Sequence, residues 1–476
     1  MRKFSLPNKG VARLLPIAGA LILAGCSTLS PEYTRSELPV AQTWENAPQA
    51  QTPGLSDQQA AQVPWKSFIK DPRLTQVIEL ALKSNRSLRQ TLADVEAARA
   101  TYRIQDAELY PQINAGLSGN RTKASSGNIS TTYQAEGGLS SYEIDLFGKN
   151  RSLSAVQMEA YLSSQETAKA AKISLIGEIT SAWLTLAADK NQLKLAQETA
   201  TNAQKTMDIT NKRLEMGIDS RIDVASAETI YYNARSDIAS YTTQVAQDLN
   251  ALRLLVGEQL DDSLLPELLP SSESLVTDVP VGLSSSVLLQ RPDVLAAEHT
   301  LKSANANIGV ARAAYFPTLS LTATGGLASS VLADIFSGGA SSIWTLAPSI
   351  SLPIFDGGSN DANLAYSEAQ QQKYLAAYEY TIQSAFSEVA DALARRATIQ
   401  EQLNSQKSLV LAATRSYVLS LARYKGGIDN FQSVLEAQRT MYQANQSLIL
   451  TKQADLENRI TLYRVLGGGL AEEKTA

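Results

Sequence analysis

Two hydrophobic periods divide the chain. Ile179, Leu186, Leu193, Ala200, Met207 and Leu214 recur at seven-residue steps, with Ile176 and Trp183 three places before the first two. Apolar residues at that spacing line one seam of a helix that packs against other helices, and Ala in the seam allows close approach. The segment 151–216 contains a single Gly, Gly177, and no Pro, while 359–425 contains neither over 67 residues. At 1.5 Å per residue each predicts a helix of about 100 Å, longer than a compact domain of ordinary size would cover. The second period is two. Ile113, Ala115 and Leu117 alternate with Gln112, Asn114, Gly116 and Ser118; Leu319, Leu321 and Ala323 alternate with small or polar neighbours. Trp344, Leu346, Pro348, Ile350, Leu352 and Ile354 keep even parity. These are strands with one apolar and one polar face.

The patterns occur twice. ELYPQINAGLSG (108–119) aligns with AYFPTLSLTATG (314–325), RLEMGIDS (213–220) with RYKGGIDN (423–430), and VASAETIYYNA (224–234) with VLEAQRTMYQA (434–444). A period near 210 residues is too long for a solenoid unit and indicates a duplicated supersecondary structure. The first repeat, 72–257, predicts a helix at 72–109, a β-hairpin at 110–147, a long helix at 151–216, a tip at 217–220 and a helix at 221–256. The second, 292–467, predicts a helix at 292–315, a hairpin at 316–355, a long helix at 359–425, a tip at 426–430 and a helix at 431–466. The proline-bearing segments 26–71 and 258–291, with the tail 468–476, read as extended linkers forming a belt around the helices.

Strands of this kind, with Tyr110, Tyr133, Tyr142, Phe316, Trp344 and Phe355 near their ends, suit a membrane barrel with aromatic girdles; alternation alone also fits a soluble two-sided sheet. Two hairpins supply four strands, and the smallest outer-membrane barrels need about eight. Three chains would give twelve strands and a lumen, so a homotrimer is expected. The fold class is mainly α with a shared β-barrel and a long coiled-coil tunnel.

The N-terminus adds an address. Arg2, Lys3, Lys9 and Arg13 precede an apolar stretch too short to span a bilayer, so 1–25 reads as an export signal peptide. It ends in Leu23-Ala24-Gly25-Cys26, which resembles the lipobox of bacterial lipoproteins, with Ser27 favouring the outer membrane. Cleavage would make lipidated Cys26 the first residue and move the formal charge from -5 to -9, which disfavours nucleic acid as a partner. One Cys and one His leave no framework for disulfides or for a metal, and His299 has no catalytic constellation around it. Neither enzyme nor cofactor is expected.

The stretches VGLSSSVLLQRPDVLAAEHTLKSANANIGVARAAYFPTLSLT (281–322) and ARYKGGIDNFQSVLEAQRTMYQA (422–444), together with the lipobox, resemble the TolC and OprM family of outer-membrane factors, in its lipoprotein branch. The resemblance spans essentially the whole mature chain. It implies a homotrimer with a twelve-stranded barrel and a periplasmic tunnel, carrying diacylglycerol and an N-acyl chain on Cys26. It also implies a passive exit duct for drugs and other small solutes, joined by a periplasmic adaptor and an inner-membrane proton-driven (RND) transporter. A type I protein-secretion duct shares this architecture. A structural or adaptor coiled-coil lipoprotein shares the helices and lipobox and would lack paired strands in both halves.

Each GID is read as a helix-hairpin tip. Gly217 and Gly427 supply left-handed C-caps, Asp219 and Asp429 are expected N-caps, and Gln432 has capping-box spacing from Asp429. Gly217, Ile218, Asp219, Gly427, Ile428 and Asp429 would meet the adaptor. Gln432, Glu436 and Arg439 share one helix face and would form rings in a trimer; the resemblance places a periplasmic constriction at Glu436 and Gln432. It also makes Asp223 a latch with Arg423 and Tyr424 as partners. Read alone, Arg423, Glu436 and Arg439 equally fit solvated helix charges.

Overall fold

The computed structural model describes residues 28–44, 63–277 and 284–468. The signal segment, Cys26 and the tail beyond Gly468 lie outside the described residues. The main elements are α1 (Pro72–Ser84), α2 (Arg86–Ala107), β1 (Ile113–Lys123), β2 (Ile129–Ile144), α3 (Lys149–Glu215) and α4 (Arg221–Val256). They are followed by α5 (Pro292–Ala313), β3 (Thr318–Ser329), α6 (Leu332–Ser337), β4 (Ser341–Ser351), α7 (Ser359–Lys425) and α8 (Phe431–Val465). Both long helices, α3 and α7, run 67 residues unbroken. The described residues form two compact units. One combines the N-terminal segment to Glu37 with Asp94–Gln165 and Ala296–Tyr378; the other combines Leu38–Ala93, Glu166–Leu295 and the chain from Glu379.

The expected single helix at 72–109 is two helices. Asn85 leaves helical geometry (ψ 123), donates through Nδ2 to Leu255 O at 2.6 Å, and accepts from Leu88 N at 2.7 Å. It thus closes α1 and caps α2 with one side chain. The approach is tight: a Cβ on Gly257 (φ +80) would sit 2.6 Å from Ser84 O.

In the first unit the strands form one antiparallel sheet in the order β1-β2-β3-β4, leaving an edge of β1 and an edge of β4 unpaired within the chain. Ile113 pairs with Leu139, Leu139 with Ala323 and Ala323 with Leu346, so one row of side chains on one face is apolar across all four strands. The opposite face reads Asn114, Gly138, Thr324 and Thr345 in the next row. An irregularity between Leu139 and Tyr142, with Ser141 at φ 55, shifts β2 by one residue. A bulge of this kind reverses parity. It returns Tyr142 and Ile144 to the apolar face, opposite Leu321 and Leu319. The second hairpin is not a plain one: the short helix α6 stands between β3 and β4, ended by Gly338 at φ 83. Ile113, Leu117, Trp344, Leu346 and Ile350 are all more than half exposed on the apolar face. Within the same unit, Tyr33 Oη and Arg35 donate to the buried Glu298, fastening the N-terminal strand of chain to α5.

The main core lies in the second unit. Leu74, Val77, Ile78 and Ala81 of α1 pack with Ile179, Trp183 and Leu186 of the α3 seam and with Leu252 and Val256 of α4. Linker residues Leu260, Leu265, Leu275 and Val276 complete it, and Trp183 Nε1 donates to Leu264 O at 3.2 Å. The linker therefore contributes core side chains rather than only spanning distance. Phe68 stacks on Tyr463 with ring centroids 3.9 Å apart.

Candidate functional site

The repeated octapeptides close the two helix hairpins by the same backbone bonds. After α3, Gly217 N donates to Leu214 O and Ile218 N to Arg213 O; after α7, Gly427 N donates to Tyr424 O and Ile428 N to Arg423 O. Gly217 and Gly427 take φ of 73 and 71. Those left-handed positions satisfy the last carbonyls of the long helices, as the sequence predicts. Ile218 and Ile428 project into solvent, 57 % and 67 % exposed.

The N-caps are each one residue later than expected. Ser220 Oγ accepts from Asp223 N while Asp223 Oδ2 accepts from Ser220 N, a reciprocal capping box; Asn430 Oδ1 accepts from Ser433 N. Gln432 has no part in a box: its Nε2 donates to Glu436 Oε1 at 2.9 Å. Asp219 and Asp429 are free for another task, because Arg213 and Arg423, each six residues upstream, claim them. Arg213 Nε reaches Asp219 Oδ2 at 3.0 Å, and Arg423 reaches both Asp429 oxygens at 2.6 and 2.9 Å. Arg213 was not singled out in the sequence, although the paired spacing Arg213/Asp219 and Arg423/Asp429 was visible in the repeat.

Around this common frame the tips diverge. Tyr424, 1 % exposed, donates its hydroxyl to Asp219 Oδ2, lies 3.3 Å from Thr210 Oγ1, and has the Arg213 guanidinium 4.6 Å above its ring. It packs edge-on against Phe431 in a cluster with Ala203, Ala227, Ile230, Val434 and Leu435. This cluster ties α3 and α4 to α7 and α8. Burial first, and the Asp219 carboxylate second, push the Tyr424 phenol up to about 12. At the second tip the Arg423 and Asp429 side chains are 54 % and 28 % exposed, and the Arg423 bond holds the Asp429 carboxyl below the usual range.

The expected latch of Asp223 with Arg423 and Tyr424 does not form within the chain. Asp223 is engaged by Ser220, Arg423 by Asp429, and Tyr424 by Asp219. The carboxylate four residues earlier takes the tyrosine because capping α4 fixes Asp223 at the start of its own helix. Gln432, Glu436 and Arg439 are all exposed, whereas Phe431, Val434, Leu435 and Gln438 of the same helix are buried. The three predicted ring residues thus occupy the face of α8 turned away from its packing.

Among the described residues no group of three or more His, Cys, Asp or Glu is placed to hold a metal, and none of the helices is long and apolar enough to cross a membrane. His299 Nδ1 lies 2.6 Å from Glu159 Oε2, a side-chain pair between α5 and α3.

A four-stranded sheet with an apolar exposed face and two open edges, in a chain that also carries two long helix hairpins, defines a channel-forming subunit that enters a membrane by its strands. The chain matches the outer membrane efflux protein family over residues 77–258 and again over 283–468, one match for each repeat, and it belongs to that family. It is 41 % identical over 461 residues to a probable efflux pump outer membrane protein, TtgC, of Pseudomonas putida, covering 95 % of each chain. It is 39 % identical to outer membrane protein OprJ of Pseudomonas aeruginosa, covering 100 % of this chain and 98 % of that one. The open state of the MtrE outer membrane channel of Neisseria gonorrhoeae superposes with a TM-score of 0.84 at 35 % identity, covering 93 % of this chain and 99 % of that chain. The chain is an outer-membrane efflux protein.

Proposed function

We propose that three copies form a passive exit duct for antibiotics and other small solutes, the outer-membrane member of a tripartite pump with a periplasmic adaptor and an inner-membrane RND transporter. The observation that carries this is the sheet: four strands, both edges open, one face apolar. Lipid solvates no unpaired backbone group, so the edges of β1 and β4 must meet strands of other copies. Twelve strands leave a lumen; eight would be filled by side chains. The lipobox supplies the anchor, Cys26, bearing diacylglycerol and an N-acyl chain.

The gate of the duct is the tip region. Rings of Gln432, Glu436 and Arg439 line the constriction, and the bond of Tyr424 to Asp219 holds the α7–α8 hairpin against the α3–α4 hairpin within each copy. Asp223 and Arg423, both accessible, face neighbouring copies. The adaptor docks on the exposed Ile218 and Ile428 tips and releases the hairpin. Transport needs no chemistry from the chain, since the inner-membrane partner supplies energy. Native mass spectrometry of protein extracted from isolated outer membrane tests the assembly: three lipidated copies are expected, and a monomer would overturn it.

A further inference from the structure

The four strands carry four charged residues, and the sheet sorts them by sign. Arg121 and Lys123, at the end of β1 next to the Ala124–Asn128 turn, have the parity of Ile113, Ala115 and Leu117 and so stand on the apolar face. Asn120 and Thr122 share the other face, where Thr122 Oγ1 donates to Asn120 Oδ1. Glu136 pairs across to Gly116 and Gly326, and Glu143, past the bulge, to Ser320, which places both acids on the polar face. Glu143 is already neutralised by Lys149 Nζ at 3.2 Å. Strands β3 and β4 carry no charge. Whichever strand edge β1 meets in the assembly, a β4 neighbour brings no carboxylate to Arg121 or Lys123. The acid of the β3–β4 connection, Asp334, accepts from Ser329 Oγ at 2.8 Å. Among the described residues neither Arg121 nor Lys123 makes an ion pair or a side-chain hydrogen bond.

Two unpaired cations at the rim of an apolar face call for anions at the same depth. Residues two apart on a strand stand about 7 Å from each other, so one phosphate is within reach of both long side chains. Below them on the same face lie the Tyr133 ring, packed over Gly119 at 3.0 Å from where its Cβ would stand, then Leu117 and Ile113. That order, cations, aromatic, then aliphatic side chains, matches headgroup, interface and acyl chains in sequence. We propose that Arg121 and Lys123 form a docking site for phosphorylated lipid headgroups in the leaflet at the turn end of the sheet. The inference rests on the membrane-sheet reading above.

The test is native mass spectrometry of the detergent-solubilised full chain, titrated with a bisphosphorylated, multiply acylated glycolipid and with its dephosphorylated counterpart. The parent should bind the phosphorylated lipid in preference. The double variant Arg121→Gln, Lys123→Gln should lose about 30-fold in affinity for it, the factor two cations contribute at an anionic leaflet, with no change for the dephosphorylated lipid. Equal binding by parent and variant would overturn the site, as would displacement of the lipid by an equal concentration of inorganic phosphate. Recovery of both proteins from the outer membrane with one copy number keeps the membrane-sheet reading intact in that event. Failure of both to partition there would overturn the reading beneath it.

Discussion

The two hairpin tips have one backbone and two characters. At the first, the Asp219 side chain is 7 % exposed and takes bonds from Arg213 and from a tyrosine of the other repeat; at the second, Asp429 has Arg423 alone, and solvent reaches both. Duplication therefore conserved the turn and left one copy as a fastening and the other as a free surface. The difference comes from position 424. The second repeat places Tyr424 there, one residue after its clamp arginine, and the first places Leu214. A phenol brings a ring to bury and a hydroxyl to spend on Asp219; a leucine brings neither a donor nor an aromatic face for Arg213.

The largest way to break the comparison is Tyr424→Ala. Truncating a fully buried aromatic costs about 3–5 kcal/mol, and hydrogen exchange should then accelerate at 203–230 and 424–435 together. If only one hairpin loosened, the cluster would not be the tie between them. Alkali should act on the same point. A phenol held up to about 12 stabilises the folded state fully below its ordinary pKa near 10, and that contribution is lost as pH rises through 12. The part of the phenolate absorbance that Tyr424→Phe removes should therefore appear with loss of tip protection, and not before it.

Removing the clamp arginines one at a time sharpens the contrast. Arg213→Gln takes a charged hydrogen bond and the cation over Tyr424 from a carboxylate with little solvent, about 2 kcal/mol. Arg423→Gln should move the unfolding midpoint far less, since water replaces most of what it gives Asp429. Equal midpoints for the two variants would erase the distinction. Gly217→Ala and Gly427→Ala should instead behave alike, because each glycine is left-handed with open space where a Cβ would go. The strain alone costs about 1–2 kcal/mol at either tip. Acid gives the smallest effect. The Asp429 carboxyl lies below its ordinary range, so its contribution is present at neutral pH and is lost as pH falls below about 4. Proteolysis at 426–430 should rise there before proteolysis at 217–220.

Helix and strand extents were largely legible in the sequence, because Gly217, Gly257, Gly427 and Gly467 punctuate them and the α3 seam is strictly periodic. What escaped depended on partners far away in the chain. Asn85 breaks a helix for the sake of Leu255, 170 residues on. The bulge near Ser141 hides the alternation of β2, so its apolar face emerges only once Leu321 and Leu319 are seen opposite Tyr142 and Ile144. At the tips, Asp219 and Ser220 are both competent caps, and a local window cannot rank them. The choice was made by Arg213 and Tyr424, which leave Ser220 to cap. For the same reason Gln432, Glu436 and Arg439 were legible as exposed positions on one side of α8, while Asp219 as the acceptor of the Tyr424 hydroxyl was not.

Single-channel conductance of the Tyr424→Phe protein in planar bilayers tests the account most directly, because that variant keeps the ring in its cluster and deletes only the hydroxyl, with its bonds to Asp219 and Thr210. Conductance above that of the parent, with Asp223→Ala unchanged when measured beside it, is the predicted result. Unchanged conductance in Tyr424→Phe together with an opened Asp223→Ala channel would contradict it and place the fastening between copies instead.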